Sequence, residues 1–148
     1  MTITSIRRCH LPFVIFFFCP LFLLSCYETS DETPPFGIYS TSPADGATNV
    51  ALNAAIVITF GTDVDPESVT AATFVVKDGT GAGVSGDVYA DGVVADFRPK
   101  DNHSTNTTYT VTLDRDIQDI YGRTLGDYLG GDYTFSFTTG SQLPEDTP

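Results

Sequence analysis

The sequence predicts an all-β protein, an antiparallel β-sandwich of about seven short strands. Three observations carry this. From Phe36 onward the chain is a series of short runs that alternate apolar and polar residues, and that period puts one face of each strand inward. Clusters of Gly, Pro, Asp and Asn separate these runs. No stretch between them has the length or 3.6-residue period of a crossover helix, which a parallel sheet would require. One apolar face on each of seven strands is best buried by packing two sheets together.

The elements follow in order. Ile38–Ser42 is the first strand, ended by the turn Pro43-Ala44-Asp45-Gly46. Ala54–Phe60 places Ile56, Ile58 and Phe60 on one face and Ala55, Val57 and Thr59 on the other, apolar enough on both for a central strand. Asp65-Pro66-Glu67-Ser68 reads as a helical turn, with Asp65 as N-cap, Pro at the first helical position and Glu in the first turn. Phe74–Lys77 and Val84–Ala90 are strands on either side of a glycine-rich turn. Val93–Arg98 turns Val93, Ala95 and Phe97 inward, and Pro99 ends it. Tyr109–Leu113 and Tyr133–Thr139 complete the set, the last with Tyr133, Phe135 and Phe137 inward. The expected core is Ile56, Ile58, Phe60, Phe74, Phe97, Val111, Phe135 and Phe137. At roughly 1.5–3 kcal/mol for each large side chain fully buried, eight such residues offset much of the ordering entropy without a disulfide.

Before Phe36 the character changes. Arg7 and Arg8 precede an apolar run from Leu11 to Leu24, the charged and apolar regions of a secretory leader. The run is about 14 residues and contains Pro12 and Pro20, short of the roughly 20 that a spanning helix needs. A retained signal anchor is the alternative. All 19 acidic residues lie beyond residue 25 with only five of the seven basic ones, a balance of −14. Such a charge repels phosphate backbones, so nucleic acid is excluded as a partner. Residues 27–35 are polar, end in Pro34-Pro35 and are expected to form a flexible or polyproline spacer. The tail 141–148 is expected to be disordered.

The chain has few groups suited to chemistry. Gly81-Ala82-Gly83-Val84-Ser85-Gly86 matches G-x-G-x-x-G, but a strand rather than a helix follows, so it reads as a hairpin turn. Asp114, Asp116 and Asp119 put three carboxylates in one loop, a candidate calcium site without EF-hand spacing; calcium is the one cofactor considered. His103 is the only histidine after the leader and reads as an exposed loop residue, with no nucleophile-elbow motif to serve. Tyr121, Tyr128 and Tyr133 could offer rings for sugar stacking, although Tyr133 belongs with the core.

Two resemblances add to this reading. Leu23-Leu24-Ser25-Cys26 resembles the lipobox of bacterial lipoproteins. The resemblance implies a signal peptide over Met1–Ser25, cleavage before Cys26 and acylation of Cys26, a tether into the membrane. Cys9 and Cys19 would leave with the leader, so no disulfide could form. Tyr27, rather than Asp, follows the cysteine; in that family's sorting rules this favours the outer membrane or cell surface over the inner membrane.

The second resemblance is to bacterial Ig-like domains of the SbsA type, over Phe36–Thr139 within a domain at 36–140. It is carried by Ser42-Pro43-Ala44-Asp45-Gly46-Ala47-Thr48-Asn49-Val50, Ile56-Val57-Ile58-Thr59-Phe60, Asp63-Val64-Asp65-Pro66-Glu67-Ser68-Val69, Phe97-Arg98-Pro99, Thr107-Thr108-Tyr109-Thr110-Val111, Ile117-Gln118-Asp119-Ile120-Tyr121-Gly122 and Tyr133–Thr139. It implies that Asp119 sits in an Asp-x-x-Gly turn and that Tyr109 pins a corner of the sandwich through its hydroxyl. The departures are a single copy standing alone and an extension at Gly126–Gly131 that adds Tyr128 and Leu129. Together the resemblances imply a non-enzymatic, lipid-anchored module of the bacterial cell envelope that contacts an envelope protein or polysaccharide. The alternative is a calcium-dependent adhesin or carbohydrate-binding lipoprotein.

Overall fold

Eight strands make two sheets in the computed structural model, which describes residues 34–141; the expected leader, Cys26, most of the spacer and nearly all of the tail lie outside the described residues. The strands are β1 (Ile38–Ser42), β2 (Ala47–Val50), β3 (Ile56–Phe60), β4 (Phe74–Lys77), β5 (Gly86–Asp91), β6 (Val94–Pro99), β7 (Thr108–Leu113) and β8 (Tyr133–Thr139). A 3₁₀ turn at Pro66–Ser68 and a short helix, α1 (Leu125–Leu129), interrupt them. One sheet has the order β1-β3-β6-β5 and the other β2-β8-β7-β4. The sandwich read from the alternating pattern is therefore present, with one strand more than expected.

That extra strand is β2, which pairs parallel to β8 while every other pairing is antiparallel. Its two core-facing residues, Ala47 and Val50, are three positions apart because Asn49 adopts a φ of 55° between them and the register shifts there. A two-residue period cannot reveal such a strand. The turn before it is stapled to the sheet, since the Ser136 N–H donates to Asp45 Oδ1 and the Gly46 N–H to the Ser136 carbonyl.

All eight expected core residues are buried. Phe36, Val64, Val69, Val76, Leu113, Ile117 and Leu125 join them, so the core continues under the long connection between β7 and β8. Phe97 lies across the start of β5. A β-carbon at Gly86 would stand 2.2 Å from its ring, so any side chain here forces its surroundings to shift.

Two expected inward residues behave differently. Val93 is 36% exposed, because β6 begins only at Val94 and Val93 belongs to the hairpin turn with Gly92. Tyr133 is only half-buried, since β8 starts there with its ring against Phe135 at the rim of the core.

Candidate functional site

The antiparallel register gathers one set of loops at each end of the sandwich. Ile38 pairs with Phe60, Asp91 with Val94 and Leu113 with Tyr133. Hence the start of β1, the end of β3, the β5–β6 turn and the whole segment 114–132 share an end, which we call proximal because the chain enters there. The distal end holds the turns after β1 and β6 and the last residues of β8.

The proximal segment is built around Asp119, which is buried. Its Oδ1 accepts the N–H groups of Tyr121 and Arg123, both at 2.9 Å, and its Oδ2 accepts Arg123 Nε at 2.7 Å. Burial alone would push this carboxyl up, but the hydrogen bonds from Arg123 and Tyr121 and the Arg123 charge outweigh it and hold the carboxyl below its usual range. An isolated bridge from Asp119 to Val64 ties the segment to the rest, and one from Gln118 to Thr124 closes the segment on itself. Asp65 caps the 3₁₀ turn by accepting the Glu67 N–H at 3.0 Å, and Ser68 Oγ of that turn accepts the Gln118 N–H.

Helix α1 forms where the sequence suggested only an extended approach to β8. Thr124 and Asp127 make a reciprocal capping box, and Gly130 closes the helix in the left-handed region. The Thr124 bonds hold the Asp127 carboxyl below its usual range. Leu125 enters the core, while the Tyr128 ring lies against Gly37, where a β-carbon would stand 2.5 Å from it. The ring remains 57% exposed and forms a ridge between two clefts. One, of about 290 Å³, is lined by Pro34, Pro35, Tyr39 and Tyr128; the other, of about 240 Å³, adds Phe36, Arg123 and Asp127. Arg123 also lies over the Tyr121 ring at 5.5 Å.

The three carboxylates proposed for calcium are not brought together. Asp119 is committed to Arg123, and Asp114 Oδ1 accepts the Asp116 N–H at 2.8 Å in a local turn. Among the described residues no three His, Cys, Asp or Glu side chains are gathered for a metal ion. The glycine-rich loop is organised by Asp78, which accepts N–H groups of Thr80 and Ala82 and the Thr80 hydroxyl, and β5 follows it. Among the described residues no helix follows it to face a pyrophosphate.

His103 requires a correction. It is 4% exposed, sealed at the distal end by Tyr109 at 4.5 Å between ring centres and by the edge of Phe137 at 5.7 Å. Nε2 lies 3.2 Å from the Ala54 carbonyl and therefore carries the proton, while the His103 N–H donates to the Leu52 carbonyl. A polar loop sequence gave no sign that these neighbours would close over it. Tyr109 beside it accepts the Ser104 N–H on its hydroxyl at 2.8 Å. Sequence reasoning also missed Arg123 as the partner of Asp119 and the exposure of Tyr39. An arginine four residues after the aspartate, across a glycine, was the available signal for the first.

The fold defines an Ig-like β-sandwich. The family described as bacterial Ig-like domain matches residues 31–139, and the chain belongs to that family. No curated protein matches it. Among solved structures it is similar to CopC from Methylosinus trichosporium OB3b, with a TM-score of 0.58 at 14% identity over 77% of this chain and 100% of that one. It is similar to domains 1–6 of the surface layer protein SbsC, with a TM-score of 0.54 at 19% identity over 74% of this chain and 14% of that one. A third similar structure is the LD transpeptidase LdtMt1 in complex with imipenem, with a TM-score of 0.49 at 21% identity over 72% and 41% of the two chains. At such identities the likeness is one of fold, and the last is too slight to bear on chemistry. No helix among the described residues is long and apolar enough to cross a membrane.

Proposed function

We propose that the chain is a non-enzymatic Ig-like module of the bacterial cell envelope, tethered through acylated Cys26, that contacts an envelope protein or polysaccharide. The observation that carries the reading is how its carboxylates are used. Asp65, Asp78, Asp119 and Asp127 each cap backbone N–H groups, and Asp119 also pairs with Arg123, so the polar chemistry of the loops is spent on rigidity. A rigid frame presenting loops at two ends suits contact rather than turnover, and membership in the bacterial Ig-like family supports an extracellular setting. The lipobox and the strongly acidic surface support the tether and solubility outside the cytoplasm.

The test is fractionation of cells carrying the full-length protein or Cys26→Ala, followed by cross-linking from intact cells. The reading expects the wild type in membranes, the variant in the soluble fraction, and a wall or envelope component among the cross-linked species. A Cys26→Ala protein that stays with membranes removes the tether.

A further inference from the structure

We infer that the proximal end of the sandwich is a lipid-docking face, seated on the bilayer that carries the acyl chains of Cys26. The inference rests on the lipoprotein reading and adds an orientation to it.

The distribution of exposed apolar side chains carries it. Seven large apolar residues are exposed among the described residues. Tyr89 alone sits within the span of a strand away from the ends, beside Arg98 on the outer face of its sheet. The other six, Tyr39, Val93, Ile120, Tyr121, Tyr128 and Leu129, belong to segments of the proximal end. Three of them are linked, because Tyr39 and Tyr128 line one cleft, Tyr128 and Arg123 line the next, and Arg123 lies over Tyr121; Ile120 and Leu129 are chain neighbours of Tyr121 and Tyr128. The distal end exposes Asn53, Asp101, Asn102, Ser104, Thr105 and Asn106 instead.

The place where the chain enters then selects the occupant. Pro34 and Pro35 line the proximal clefts, and Cys26 lies only eight residue steps before Pro34. Fully extended, those steps span at most about 27 Å. A tether so short keeps this end within reach of the headgroups at high effective concentration, so a weak surface contact is enough to hold it. Tyrosine rings with an apolar body and a polar tip, next to a leucine and an isoleucine, match the interfacial layer of a bilayer. Asp63, Asp91, Asp127 and Asp132 lie in the same loops and oppose anionic lipid, so the matching surface is zwitterionic.

The chain has no tryptophan, so an introduced one reports alone. Acylated full-length Tyr128→Trp and Tyr89→Trp proteins are bound to phosphatidylcholine vesicles with and without lipids brominated near the headgroup end of the acyl chain. Docking predicts blue-shifted emission and at least about twofold stronger bromine quenching for Tyr128→Trp than for Tyr89→Trp. Equal, weak quenching of both while the proteins still sediment with vesicles leaves the tether standing and overturns docking. Proteins that do not sediment with vesicles overturn the lipoprotein reading and docking with it. A blue shift of Tyr128→Trp on adding envelope polysaccharide, without bromine quenching, gives the face to sugar and also overturns docking.

Discussion

At position 119 a carboxylate with almost no contact with water satisfies two backbone N–H groups and one guanidinium. Removing it leaves all three without that acceptor. Asp119→Ala should cost about 3 kcal/mol, the low end for breaking a buried pair because the Arg123 side chain is 34% exposed. Urea unfolding measures it. His103 sets a different dependence. Burial holds its imidazole below its ordinary value of 6.5, outweighing the bond to Ala54. The folded state thus takes up the proton less readily than the unfolded chain. Stability is full above pH 6.5 and is lost as pH falls from there toward the folded-state value. Urea midpoints should drop between pH 7.5 and 5.5, and His103→Gln should flatten that part of the profile. The carboxylates held low at Asp78, Asp119 and Asp127 lose their contributions at more acid pH, below the ordinary aspartate value of 3.8, so the two effects separate.

Among the elements, β1, β4 and β8 coincide with the expected strands, and β3, β6 and β7 differ from theirs by one or two residues at one or both ends. They were legible because period-two burial is a property of each strand alone. Helix α1 was not, since Leu125–Leu129 is too short for a helical period and its signal is the Thr124–Asp127 capping box, with Asp in place of Glu. The start of β5 moved from Val84 to Gly86 because Val84 bonds to β4, its N–H donating to the Val76 carbonyl, before the chain crosses to the other sheet. This crossing depends on Gly86. Its β-carbon would meet the Phe97 ring at 2.2 Å and the Arg98 carbonyl at 2.7 Å, and the second of these is backbone. Gly86→Ala should therefore cost about 1–3 kcal/mol by overpacking, read as a lowered thermal midpoint with secondary structure intact. At the candidate site, the acidic residues were legible as a cluster but not as separate turns. Which backbone N–H a carboxylate caps depends on loop geometry that no spacing encodes.

Across the whole molecule, charge is the plainest property. Fourteen Asp and Glu against five Lys and Arg lie between residues 34 and 141. Self-repulsion at that balance opposes the folded state and is screened over a Debye length of about 10 Å at 0.1 M salt. Raising sodium chloride from 10 mM to about 0.2 M should raise the thermal midpoint by a few degrees. Calcium chloride at equal ionic strength should do no more, because Asp114, Asp116 and Asp119 are not placed around one point. A larger shift with calcium would reveal a site these contacts do not provide.

The strand directions have a mechanical consequence. β1 and β8 both run from the proximal end to the distal end, in different sheets. Tension applied between Pro34 and Ser141 therefore pulls along both strands rather than peeling either from its edge. The ladders of β1 with β3, and of β8 with β7 and β2, are strained in shear and resist together. The parallel partner β2, the strand alternation could not disclose, grips β8 on its otherwise open side. Force applied between its two ends is carried through the sandwich without unravelling it from a loose edge.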